Sequence, residues 1–182
     1  MSRLSAPAAR ARKRINRAPS PAIAMGIPWL SVIIGSMLPT FLLIASAPVM
    51  PPLGFLFYLS WRQLRPGLLP VWAGLPLGLI DDLYSGQPLG SAVLLWSLAA
   101  IALDLVESRL PWRNFLTEWL VGSGLIVAYI VFALAIASWG HLAFLLPVIV
   151  PQLILSLLVY PLVGRLVALL DRTRLIAFRE IR

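Results

Sequence analysis

The stretch Ser46-Ala-Pro-Val-Met-Pro-Pro-Leu-Gly-Phe-Leu-Phe-Tyr-Leu-Ser-Trp-Arg62 decides how many times this chain crosses a bilayer. Pro48, Pro51 and Pro52 remove backbone donors and clash with the preceding turn of a helix, so only residues 53–61 are left as an apolar run before Arg62. At about 1.5 Å per residue that run is short against a hydrocarbon core about 30 Å thick. The arginines decide whether it crosses. Further apolar runs at 27–47, 67–82, 90–107, 118–138 and 142–164 read as membrane helices. If 53–61 crosses as well, Arg62, Arg65, Arg109, Arg113 and the arginines of 165–182 all share a side with the basic N-terminus, and the opposite loops 46–52, 82–90 and 138–143 carry neither Lys nor Arg. Lys and Arg concentrate in cytoplasmic loops. The sequence therefore predicts an all-α integral membrane protein with six transmembrane helices and both termini cytoplasmic.

Composition agrees. Of 182 residues, 60% are hydrophobic and 12% charged, and the mean hydropathy is +0.90, against about 25% charged residues in a soluble domain. That excludes a water-soluble globule. The chain has no Cys and one His, His141, which removes disulfides, thiolate metal sites, a Cys nucleophile and any paired-His metal motif. The run 27–47 lacks a small-residue cleavage pattern and is followed by further spans, so it reads as a first membrane helix and not a removed signal. Residues 1–26 hold Arg3, Arg10, Arg12, Lys13, Arg14 and Arg17 with no acidic residue and are expected to be a disordered basic cytoplasmic tail. Residues 27–164 form the six-helix membrane domain. Residues 165–182 read as a basic amphipathic cytoplasmic segment, with Arg165, Arg172 and Arg179 seven apart on one helical stripe, suited to anionic lipid or a cytoplasmic partner. Nucleic acid is not expected as a partner, because no folded reading surface accompanies the charge. Trp29, Trp61, Trp112, Trp119 and Trp139 fall near predicted helix ends, where an interfacial aromatic belt would lie.

The most distinctive motif is Gly78-Leu-Ile-Asp-Asp-Leu-Tyr-Ser-Gly-Gln-Pro-Leu-Gly90, a membrane helix that ends in two carboxylates and turns through Gly86, Pro88 and Gly90 into the next helix. A catalytic dyad is not expected. Adjacent residues on a helix diverge by about 100°, so Asp81 and Asp82 do not converge on one substrate atom, and the Gly-x-Gly-Asp element of intramembrane aspartyl proteases is absent. The carboxylates are instead expected to accept hydrogen bonds from backbone groups of the following turn. Asp104 and Glu107 share a face near the inner end of the fourth helix and are expected to pair locally with Arg109 and Arg113. Gln152 is expected to cap carbonyls freed by Pro147 and Pro151, or else to line a cavity. Gly74, Gly78, Gly122 and Gly124 read as sites of close helix approach. No cofactor, metal site or catalytic constellation is expected, so the chain reads as a protein that works by binding.

The Gly78–Gly90 run, with a short span and an Arg-Pro-Gly link before it, resembles the rod shape-determining protein MreD family over roughly residues 27–171. Asp82, Gly86, Pro88 and Gly90 fall in register with the family's motif, whereas Asp81 and Gln87 stand where the family more often has an apolar residue and Gly. The resemblance implies a non-enzymatic inner-membrane scaffold of the bacterial cell-elongation machinery that builds peptidoglycan. Its partners would be MreC, bound directly, together with MreB, RodA, the transpeptidase partner of RodA, and membrane lipids. It also implies a fold like that of the substrate-binding S components of energy-coupling-factor transporters. That likeness supplies the alternative, a membrane subunit binding a small molecule such as a vitamin, which would need a polar pocket open to the outside. Few convergent polar groups are expected there beyond Asp81, Asp82 and Tyr84. Asp81, Arg62, Arg65, Arg165, Arg172 and Arg179 are the candidate partner contacts.

Overall fold

The proline-rich entry to the short second span does stop and restart the chain as a helix. In a computed structural model, which describes residues 17–18, 21–42, 50–109, 114–138, 142–174 and 179–180, the Leu56 amide donates to the Pro52 carbonyl at 3.0 Å and opens α2 (Leu53–Leu64). Around it stand α1 (Pro21–Leu42), α3 (Gly74–Ser85), α4 (Ser91–Arg109), α5 (Phe115–Ser138) and α6 (Leu142–Arg174), with a 3-10 turn at Val71–Ala73 leading into α3. The six expected helices are present. Two-residue strands β1 (Arg17–Ala18) and β2 (Arg179–Glu180) pair antiparallel beside them. The expectations for the tail before Arg17, for residues 43–49, and for Trp112, Arg113, Trp139 and His141 lie outside the described residues.

Four of the helices, α1, α4, α5 and α6, are long and apolar enough to cross a membrane. The two others have 12 residues each, or about 18 Å at 1.5 Å per residue. The run 67–82 was expected to be a full span, and the structure corrects this. After Arg65 the chain turns through Pro66 and Gly67 (φ +85°), the Leu68 amide donates to the Arg65 carbonyl at 3.1 Å, and α3 begins only at Gly74. Hydropathy does not register that turn, because Leu68, Leu69 and Val71 are apolar within it.

α2 survives its shortness by being enclosed. Apart from the half-buried Phe57, residues Gly54 to Arg62 are buried, with α1 and α6 its main neighbours and α4 and α5 also against it. Its aromatics fix the packing: Phe55 stacks on Tyr129 of α5 at 4.2 Å between centroids, and Tyr58 stacks on Trp96 of α4 at 5.0 Å. Offset rings at such spacings add about 0.5–1.5 kcal/mol beyond their buried area. Trp61, expected at an interface, is instead fully buried and donates its indole N–H to the Ser31 hydroxyl of α1 at 2.8 Å. Close approach at the small residues is real. A Cβ on Gly78 would lie 2.8 Å from the Val93 backbone, one on Gly54 would collide with Ser36, and one on Gly122 would collide with the Tyr160 ring. Gly124 faces open space and plays no such part.

Polar ties show that the helices alternate in direction. At one end, Arg174 of α6 donates to the Ala24 carbonyl of α1 at 3.2 Å, Arg65 at the exit of α2 reaches Asp171 of α6 at 2.8 Å, and Gln63 donates to the Glu118 carbonyl of α5 at 3.0 Å. At the other end, Thr40 of α1 donates to the Tyr84 carbonyl of α3 at 3.0 Å, and Gln152 of α6 donates to the Met50 carbonyl before α2 at 2.9 Å. The start of α1 and the end of α6 therefore sit at the same end of the bundle, and from Arg62 onward the described arginines lie toward it. α6 runs unbroken to Arg174 through Pro147, Pro151 and Pro161, so residues 165–174 continue the sixth helix. Arg179 lies beyond its end, in β2, and does not share a helical stripe with Arg165 and Arg172.

Candidate functional site

The two adjacent aspartates of α3 part company as helix geometry requires. Asp82, 3% exposed, turns toward α4 and caps its N-terminus. Its Oδ2 accepts the Gly90 amide at 2.8 Å and the Val93 amide at 3.4 Å; its Oδ1 accepts the Ala92 amide at 2.8 Å and the Ser91 hydroxyl at 3.1 Å. The first amides of a helix have no partner of their own and carry the positive end of its dipole, so a carboxylate is the matched acceptor. The turn that makes this possible needs Gly86 as a left-handed C-cap (φ +69°) and Gly90 at φ +94°, conformations that other residues adopt only with strain. Pro88 stands between them and accepts the Ser91 amide on its carbonyl at 3.0 Å. The motif is a joint between α3 and α4.

Asp81 turns the other way, toward α1 and α5. It is 5% exposed and sits in the wall of a cavity of about 570 Å³ at the same end of the bundle. The Tyr129 hydroxyl donates to its Oδ2 at a long 3.3 Å. Ser36, Thr40, Tyr84, Gln87 and Gln152 bring further polar groups to the lining. The expectation of few convergent polar groups here is thus corrected: the cavity collects them from α1, α3, α5 and α6 as well as the turn after α3. Of the two readings of Gln152, the cavity wall is the one that holds. The Gln152 amide leaves its own proline-interrupted helix and bonds to Met50, which makes it part of the cavity wall. Tyr129 was overlooked in the sequence, although a phenol in the middle of the apolar run 118–138 was the available signal.

The arginines expected to meet partners divide. Arg62 is buried and turned inward, where it donates to the Leu69 carbonyl at 2.7 Å, to the Ala100 carbonyl at 3.5 Å and to the Asp104 carboxylate of α4. A guanidinium so enclosed needs all these acceptors to offset its desolvation, and it offers nothing to the outside. Asp104 correspondingly pairs across the bundle with Arg62, a partner the sequence did not suggest. Arg65 is half-exposed and shares Asp171 with Arg174; Arg174 in turn lies 5.8 Å over the Trp61 ring, a cation–π contact. Arg165 and Arg172 are exposed. Arg165 borders a smaller hollow of about 290 Å³ between α2, α5 and α6, with Gln63, Glu118 and Tyr160 on its walls. Asp171 and Arg174, which tie α6 to both α1 and α2, were not singled out in the sequence because their partners lie 106 and 150 residues away.

Among the described residues no group of three or more His, Cys, Asp or Glu is placed to hold a metal ion. The fold and these ties define a helical membrane protein in which Arg62, Asp82, Asp171 and Arg174 hold helices together. A family model described as rod shape-determining protein MreD matches residues 23–172, and the chain belongs to this family of shape-determining proteins. Compared with curated proteins and with solved structures, the chain finds no significant match. Family and apolar helices together make it a membrane protein with a role in rod shape determination.

Proposed function

We propose that the protein is a multi-pass scaffold of the bacterial inner membrane that serves cell elongation and peptidoglycan synthesis by binding, with MreC as a direct partner and MreB, RodA and its transpeptidase partner in the same assembly. The observation that carries this reading is the family match over residues 23–172. The geometry supports it. Asp82, Arg62 and Asp171 hold the helices in register, so the outer faces are free to present apolar rows. On α4 Leu94, Leu98, Ile101 and Leu105 are all about half-exposed and recur at helical spacing along one face. A single membrane-spanning helix of a partner packs against such a row, or lipid does, at similar cost. The charged end, with Arg65, Arg165 and Arg172, faces the cytoplasm in this reading and meets anionic lipid or cytoplasmic partners.

Tagged protein extracted in mild detergent should bring MreC with it. Recovery of a vitamin-sized ligand and an ATPase module in place of MreC would replace the scaffold with the transport reading, which the cavity beside Asp81 favours.

A further inference from the structure

The cavity is roomy and, among the described residues, holds a single charge. About 570 Å³ falls within the range of roughly 300–1,000 Å³ typical of small-molecule sites. At its base Ser36, Asp81, Tyr129 and Ile149 are buried, while Thr40, Tyr84 and Ser85 at its rim are exposed. The one ionisable group that can carry charge at neutral pH among the described lining residues is the Asp81 carboxylate, and no Lys or Arg lines the cavity with it. Every other buried carboxylate of the bundle is matched: Asp82 by the amides of α4 and Asp171 by two guanidinium groups. Asp81 has neutral hydroxyls beside it, Ser36 and, at a long 3.3 Å, Tyr129, and no cation among the described residues. A buried carboxylate without a cation is costly, and the phenols of Tyr84 and Tyr129 line the same cavity. Leu53, Ile130 and Leu134 give the rest of the lining an apolar character.

We infer that this cavity is a binding site for an organic ammonium group carrying an apolar portion, with Asp81 as its counter-ion. The ammonium sits against Asp81 at the base, the amide oxygens of Gln87 and Gln152 and the hydroxyls of Ser36 and Thr40 are the available acceptors for its remaining N–H groups, and the apolar portion lies along Leu53 and Leu134. Such a group comes either from a free amine or from the headgroup of an aminophospholipid. This site is separate from the scaffold reading, which concerns the outer faces of the helices.

The test uses the full chain in nanodiscs of phosphatidylglycerol, titrated with phenethylammonium and, in parallel, with 2-phenylethanol, which has the same body and no charge. Thermal stabilisation should appear with the ammonium at a concentration roughly tenfold lower than with the alcohol, if it appears with the alcohol at all. Asp81→Asn, which keeps the shape and removes the charge, should abolish that preference, and Tyr129→Phe should weaken it. A second set of nanodiscs containing phosphatidylethanolamine separates the sources. Retention of that lipid by the wild type and its loss from Asp81→Asn assigns the site to a headgroup, whereas stabilisation by phenethylammonium alone assigns it to a free amine. Equal response to ammonium and alcohol overturns the proposal without need of any variant, as does a lack of response to both amine and lipid, or an undiminished response in Asp81→Asn. MreC recovery by Asp81→Asn reports on the scaffold reading independently.

Discussion

Asp82 and Asp104 are both carboxylates that tie one helix to the next, but they differ in what is left behind when they go. Removing Asp82 leaves the Gly90 and Ala92 amides and the Ser91 hydroxyl, all within about 3 Å of it now, short of an acceptor at a buried helix end. Unmatched buried donors cost about 1–3 kcal/mol each, less where neighbours relax, so Asp82→Ala should lose about 3 kcal/mol and Asp82→Asn rather less. Asp104 is 47% exposed at its side chain, so water can enter where its carboxylate stood, and its partner Arg62 keeps the Leu69 and Ala100 carbonyls; Asp104→Ala, which still leaves a buried guanidinium without its anion, should lose about 2 kcal/mol. Unfolding of the purified variants in detergent, followed by circular dichroism, checks the order; equal tolerance of the two would remove Asp82 from the role given to it here. The cap was legible in the sequence because donor and acceptor lie within 8–11 residues, joined by glycines that mark the turn. The Arg62 to Asp104 pair was not, because 42 residues separate its members and nothing local distinguishes an arginine at a membrane boundary from one turned into the bundle.

At the scale of elements, glycine positions separate contacts that matter from those that do not. α3 and α4 form the most extensive pairing in the bundle, and Gly78 is where their backbones meet. Gly78→Ala puts a methyl 2.8 Å from backbone atoms of Val93, which no side-chain rotation relieves, and should cost about 1–3 kcal/mol. Gly124→Ala meets nothing within 4 Å and should be neutral or slightly stabilising through better helix propensity, by up to about 1 kcal/mol. Melting temperatures of the two variants in the same detergent test this contrast. Both glycines looked alike in the sequence as parts of small-residue patches; only the neighbouring helix tells them apart. The length of α3 shows the opposite failure. Pro66, Gly67 and Pro70 announced a turn, but the leucines among them kept the hydropathy of the whole run high enough to read as a span.

For the whole molecule, the number of helices and their alternation were legible from the distribution of arginine, since without a crossing at 53–61 the basic N-terminus would stand on the side opposite Arg62, Arg65 and every later arginine. The way the bundle holds together was not, because the ties at its basic end join residues from the first and last helices. Cysteines introduced at Arg65 and at the exposed Leu89 belong to opposite ends, and the chain has no native Cys to confuse them. In intact cells with a permeabilised outer membrane, a membrane-impermeant maleimide should label Leu89→Cys and spare Arg65→Cys; the reverse pattern would invert the orientation proposed above. One further effect belongs to the short third helix. With its 3-10 turn it reaches about 24 Å, and Trp72, Leu75, Leu79 and Leu83 along it are exposed, so lipid beside this flank has to pucker to meet it while the flanks of α5 and α6 do not ask this of their neighbours. A pucker of several ångströms carries an energy that grows with its perimeter, and two molecules that share one depression have less perimeter than two that stand apart. The bilayer itself then draws such proteins together along this side, before any residue of one has touched the other.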